Sequence, residues 1–242
     1  MSRTAKIIAG LVLIGVAVGI ATGWFWSSTA TATERVGERI DTVQIDNDSG
    51  NVEISTGEVT TTQVRQSFSY RLGSPDNLAF EVDGGTLRLG GCGWWCSVDY
   101  VVVVPEGTTV TGTVDSGNIS LTGVSGVEVD ADSGNIELRD VTGPLTVEAD
   151  SGNITGSGLD GNATVQADSG NIELQFSRPA DVTADVDSGN IDLVMPDGPY
   201  EVVGESDSGE RNVQVATDPS AEHILRADLD SGDLSIMSAT GS

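Results

Sequence analysis

Between residues 132 and 149, apolar side chains fall at every second position on two short runs. Ile136 and Leu138 form the first, and Leu145, Val147 and Ala149 the second, with Gly143-Pro144 between them. A period of two marks a β-strand with one buried face. The following stretches repeat the layout, with Ile154 then Ala163, Val165 and Ala167, and with Ile172 and Leu174 then Val182, Ala184 and Val186. Two strands and two turns are too little chain to hide an apolar row, so each unit must be covered by its neighbours in a stack. The pattern predicts an all-β fold, a single-stranded β-helix or β-solenoid of about 17–20 residues per coil.

The punctuation between the runs agrees. Asp-Ser-Gly-Asn or a near copy begins at Asp48, Asp115, Asp132, Asp150, Asp168, Asp187, Asp207 and Asp230, and from Asp115 to Asp187 the steps are 17, 18, 18 and 19 residues. Gly and Asn suit a tight corner, and an Asp side chain can accept backbone N–H groups two residues on. The predicted structural corners are Gly117-Asn118, Gly134-Asn135, Gly152-Asn153, Gly170-Asn171 and Gly189-Asn190. Stacking would align the asparagines in a ladder whose amides bond from coil to coil.

The repeat lapses between Gly50 and Val104. Thr60 to Arg71 and Leu78 to Leu89 still alternate, with turns at Gly73-Ser74-Pro75-Asp76 and Asp83-Gly84-Gly85, which predicts first coils and a cap. Ala216 to Ile224 reads as a loop excursion before a final coil over Asp230 to Ile236. Residues 7–26, Ile7 to Trp26, carry no charge and are long enough for a transmembrane helix. Arg3 and Lys6 before them and Trp24, Phe25 and Trp26 at their end place the N-terminus in the cytoplasm and the solenoid outside the cell membrane. A cleavable signal peptide ending at Ala30-Thr31-Ala32 is the competing reading, and length favours the single-pass anchor. The expected organisation is a signal anchor over 1–28, a linker over 29–38, with Ser27 to Thr33 as a flexible lead, and irregular first coils with a disulfide loop over 39–107. Regular coils over 108–236 and a tail over 237–242 complete it.

Export suits a disulfide between Cys92 and Cys96. A zinc site is disfavoured, because the one histidine, His223, is far away in sequence and reads as incidental. Trp94 and Trp95, inside the loop, are either a contact tip or packed on the first coil. The net charge is -26 over 242 residues, with Lys6 the only lysine, which excludes nucleic acid and anionic lipid as partners. Two positions before each corner Asp the residue is acidic at Asp46, Asp130, Glu148, Asp185, Glu205 and Asp228, so one face should carry acidic columns. Either molar salt screens them, as in an acidic halophilic protein, or calcium bridges coils at Asp46, Asp48, Asp130, Asp132, Asp185 and Asp187. No other cofactor is implied.

The Asp-Ser-Gly-Asn-Ile coils, the strand Tyr100-Val101-Val102-Val103-Val104 leading into Pro105-Glu106-Gly107, and Met195-Pro196-Asp197-Gly198 together resemble the prokaryotic putative-adhesin family, over Arg39 to Ile236. The resemblance implies a membrane-anchored envelope β-solenoid that binds a surface protein or glycan, and it brings no catalytic residues. The Cys92 to Cys96 loop departs from that family. Two other classes are weighed beside it, a scaffold polymerising end to end as bactofilin-type β-helices do and a β-helix polysaccharide-active enzyme. The transmembrane segment argues against the first. The second lacks a base and an anion stabiliser set apart from the repeated carboxylates.

Overall fold

The computed structural model describes residues 28–71 and 78–239. The expected span at 7–26 and the turn Gly73 to Asp76 lie outside the described residues, and no helix among those described is long and apolar enough to cross a membrane. The first section contains β1 (Ser28–Val36), β2 (Thr42–Asn47), β3 (Val52–Gly57), β4 (Thr62–Tyr70), β5 (Phe80–Asp83), β6 (Thr86–Gly90) and β7 (Cys96–Pro105). Five regular coils follow: β8 (Thr109–Ser116) with β9 (Ile119–Thr122), β10 (Gly126–Ser133) with β11 (Ile136–Arg139), β12 (Leu145–Ser151) with β13 (Ile154–Leu159), β14 (Ala163–Ser169) with β15 (Ile172–Phe176), and β16 (Val182–Ser188) with β17 (Ile191–Met195). The exit section holds β18 (Pro199–Val203), β19 (Arg211–Val213), β20 (Ala216–Thr217), β21 (Ile224–Ser231) and β22 (Leu234–Ser238).

The first strand of each regular coil joins one sheet and the second strand the other, parallel and in register apart from a shift between Gly156 and Leu159 of β13, so the protein is a two-sheet β-solenoid. Between the sheets lie columns of like residues. Val52, Ile119, Ile136, Ile154, Ile172, Ile191 and Leu234 stack as neighbours, all essentially inaccessible to water. Each such side chain contributes about 1.5–3 kcal/mol on burial, and it is buried only because a coil lies on each side of it.

At both ends the spatial order departs from the sequence order. The sheets run β1-β4-β7-β3-β9-β11-β13-β15-β17-β22-β19 and β20-β18-β21-β16-β14-β12-β10-β8-β2-β6-β5. The coil β2–β3 therefore packs directly on β8–β9, and β6 and β7 cover its outer side. The expected final coil over Asp230 to Ile236 is likewise not the outermost. β21 and β22 insert between β16–β17 and β18–β19, the connection through Ala216 to Ile224 allowing the chain to double back. Burial gives the reason. Leu225, Ala227, Leu229, Leu234 and Ile236 are buried and need cover on two sides, whereas Val202 and Val213 are only partly buried and suit the outside.

The expected flexible linker over 29–38 is for the most part strand β1, antiparallel to β4 from Ser28 beside Tyr70 to Val36 beside Thr62. Its Thr residues favour extended backbone, and Ala30, Ala32 and Val36 turn toward the core. Antiparallel pairing occurs here, between β4 and β7, and in the β5–β6 hairpin. The opposite ends of the sheets close on strands of three and two residues, β19 and β20, which offer little edge for another chain.

Candidate contact site

The corners are held from coil to coil rather than from within. Each corner glycine N–H donates to the serine carbonyl of the next coil, as from Gly134 to Ser151 and Gly152 to Ser169 at 3.0 Å. The asparagine ladder runs beside them. Asn118, Asn135, Asn153, Asn171 and Asn190 each donate both the backbone N–H and the side-chain amide to Oδ1 of the asparagine one coil earlier, at 2.9–3.3 Å. The corner aspartates at 115, 132, 150, 168 and 187 point into solvent, and among the described residues none accepts a bond from its own turn. The expected self-capping by Asp is replaced by bonds between coils, the glycine N–H going to the serine carbonyl and the asparagine N–H to the ladder.

Both ladder ends are aspartates that the motif did not single out. Asp99 Oδ1 accepts the backbone N–H and the amide of Asn51 at 2.7 and 3.1 Å, and Asp233 Oδ1 accepts the N–H of Glu210 at 2.8 Å. Ser97-Val98-Asp99-Tyr100 pairs alongside Ser49-Gly50-Asn51-Val52, a degenerate corner visible only once the register is known. Asp233 gives Asn190 its backbone N–H but has no amide to add. Asp233→Asn should therefore lengthen the ladder by one bond and raise stability by about 0.5–1.5 kcal/mol. An increase in the urea midpoint at unchanged slope would register it, and a decrease would refute it.

The acidic columns are real in register. Asp46, Thr113, Asp130, Glu148, Gln166, Asp185 and Asp228 are successive partners across seven strands. Burial pushes the Asp130 carboxyl up from its ordinary range, with Asp132 and Asp150 adding repulsion. Asp185 is raised by burial too, and by Asp228, Asp187 and Asp230. Within a coil the candidate calcium residues are neighbours, Asp130 with Asp132 and Asp185 with Asp187, but the pairs of different coils are not brought together. Thr113 lies between Asp46 and Asp130, and Glu148 and Gln166 lie between Asp130 and Asp185. Among the described residues no three His, Cys, Asp or Glu side chains could share a metal ion. His223 Nδ1 lies 3.4 Å from Asp181 Oδ1 at the other corner, far along the stack from the cysteines.

The remaining candidate is the loop between β6 and β7. Cys92 and Cys96 are joined, with Cα atoms 5.5 Å apart, and Cys96 N–H closes the turn onto Gly93 O at 3.2 Å. Both sulfur-bearing residues pack on the core, while Trp94 is 95 % and Trp95 63 % exposed. Trp95 holds a φ of +70°, a conformation that costs a non-glycine residue about 1–3 kcal/mol. Its carbonyl accepts Arg71 N–H at 3.1 Å. Below the base of the loop, Tyr100 plugs the end of the core. Its hydroxyl lies 2.6 Å from the carbonyls of Ala79 and Gly90 and accepts from Gln66 Nε2 at 3.3 Å, and burial pushes its pKa up to about 12. The two indoles border an open hollow of about 720 Å³ with Asp48, Ser69, Tyr70, Arg71 and Asp115.

The family model described as Toastrack DUF4097 matches residues 36–237. A solved putative adhesin from Bacteroides fragilis is 16% identical and superposes with a TM-score of 0.55, covering 87% of this chain and 97% of its own. A putative cell adhesion protein from Clostridium sporogenes is 10% identical with a TM-score of 0.42, over 87% and 100% of the two chains. No curated protein matches. The Bacteroides likeness supports the fold alone.

Proposed function

The chain belongs to the Toastrack DUF4097 family, and from that premise we propose a membrane-anchored, cell-surface β-solenoid of the adhesin type that acts by binding and by shape, without catalysis. The observation that carries this reading is the in-register repetition of one exposed surface. The corner aspartates and the acidic columns recur coil after coil, so a partner with its own repeats meets many weak, equivalent contacts at once. The uncharged segment at 7–26 supplies the anchor, and the Cys92–Cys96 disulfide suits an oxidising exterior. The partner is a protein or glycan of another surface, and it is not an anionic polymer, which a net charge of -26 repels.

Protease shaving of intact cells tests the reading. The region from Asp115 to Asp233 should be digested from outside while a cytoplasmic marker survives. Protection of that region until the cells are lysed would remove the surface assignment and the adhesin reading with it.

A further inference from the structure

Trp94 and Trp95 are the most exposed large hydrophobic side chains among the described residues. The strand register fixes where they lie. Ser28, the first residue of β1, partners Tyr70, and Tyr70 partners Cys96 on its other side. Ser28 thus lies two strand spacings, about 10 Å, from the cysteine that closes the loop. Ser27 alone separates Ser28 from Trp24-Phe25-Trp26, the aromatic end of the uncharged segment. The loop and the point where the chain enters the fold share one corner, at the end of a stack roughly 50 Å long, taking eleven strands at about 4.8 Å spacing.

We propose that the Cys92–Cys96 loop is a second membrane contact, with Trp94 and Trp95 seated in the headgroup region of the leaflet from which the 7–26 segment emerges. The inference rests on the membrane-anchored reading above. An indole has an apolar body and one N–H donor, which is why tryptophan collects where hydrocarbon meets water. The disulfide, the Cys96-to-Gly93 turn bond and the Arg71-to-Trp95 bond hold the pair in place before contact, so little side-chain freedom remains to be lost on docking. The hollow beside the indoles carries both signs of charge, Arg71 with Asp48 and Asp115. That matches a zwitterionic headgroup and disfavours an anionic one. A neutral saccharide would also stack on two indoles, but the loop lies beside Ser28, where the chain enters the fold from the anchor, so that the bilayer is the nearest surface. Held at two points, the solenoid would stand at a fixed angle to the membrane instead of swinging on a tether.

The test uses the full chain reconstituted into phosphatidylcholine vesicles. Of its four tryptophans, Trp24→Phe with Trp26→Phe leaves only the loop pair, and W94F with W95F leaves only the anchor pair. The loop pair should show emission shifted to the blue relative to the protein in water-exposed reference peptides and a loss of intensity when brominated phosphatidylcholine replaces the ordinary lipid. If the anchor pair is quenched and the loop pair is not, the anchor stands and the second contact is overturned. A loop emission that then responds to soluble neutral oligosaccharides would identify the pair as a glycan platform instead. If the chain fails to float with vesicles after an alkaline wash, the anchor reading falls and the proposal with it.

Discussion

Gly152→Val is expected to break the solenoid locally and to cost several kcal/mol, against about 0.5 kcal/mol for Thr155→Val on the outward side of the next strand. Gly152 has φ +143°, and a Cβ built on it would stand 1.8 Å from the carbonyl oxygen of Gly134 and 2.7 Å from its carbon. Both atoms are backbone of the preceding coil, so no side chain can swing aside. A valine forces either a new corner conformation or separation of the two coils. Separation would remove the Gly134-to-Ser151 bond and the two bonds from Asn153 to Asn135. Three lost bonds at about 1 kcal/mol each and backbone strain of about 1–3 kcal/mol set the scale. Because a solenoid's stability is a sum over coils and their interfaces, hydrogen exchange should accelerate from Gly134 and β11 through β15 while β8 and β9 keep their protection. Equal loss in every coil would mean that the chain unfolds as one globular unit.

What could be read from the sequence was whatever the period carried. The strand alternation around Ile136, Ile154 and Ile172 and the corner motif are local, repeated signals, and they led to the coils, the buried columns and the ladder. The ends were not legible, for a physical reason. A coil such as β21–β22 is chemically like its neighbours, so its pattern does not reveal that it sits inside β18–β19. Only the burial demanded by Leu225 and Ile236 against the half-buried Val202 decides that. Asp99 and Asp233 were invisible as ladder ends because an aspartate in place of an asparagine reads as a weakened repeat. β1 misled for the opposite reason, since Ser, Thr and Ala over 28–33 are common to linkers and to exposed edge strands. At the candidate contact site, spacing supported the disulfide, but the sequence left open whether Trp94 and Trp95 were exposed or packed.

The solenoid should also gain stability steeply with salt, because its acidic columns oppose the stacking that its aliphatic columns drive. Eight corner aspartates, from Asp48 through Asp115, Asp132, Asp150, Asp168 and Asp187 to Asp230 and Asp207, follow one another coil by coil, with a second acidic column beside them. Two carboxylates about 5 Å apart repel by roughly 0.8 kcal/mol in water. One buried isoleucine per coil outweighs that, at about 1.5–3 kcal/mol, so the stack forms. Net stabilities, however, are only about 5–15 kcal/mol, and many such repulsions take a large share. The screening length shrinks from about 8 Å at physiological ionic strength to about 3 Å at 1 M, shorter than the coil spacing. Thermal unfolding of the full chain in neutral detergent, followed by circular dichroism, should move to higher temperature from low salt to molar NaCl or KCl, equally for both. Micromolar calcium should not replace the salt, since among the described residues no three His, Cys, Asp or Glu side chains could share a metal ion.

Acid should act in the same direction. The folded-state pKa values of Asp130 and Asp185 lie above the ordinary 3.8, so at these two groups the folded chain binds protons more readily than the unfolded one, and only Asp218, lowered by the hydrogen bonds from Ser220, works the other way among the described carboxyls with a shifted pKa. Their contribution is then greatest below 3.8 and is lost as pH rises through the raised folded values. Unfolding temperature should rise as pH falls from neutral into that window. Molar salt should shrink this gain only in part, because burial, the larger cause, is not screened. Asp130→Asn with Asp185→Asn should reproduce the gain at neutral pH and flatten the profile. An unfolding temperature indifferent to salt and falling steadily toward acid would show that the columns do not oppose the stack.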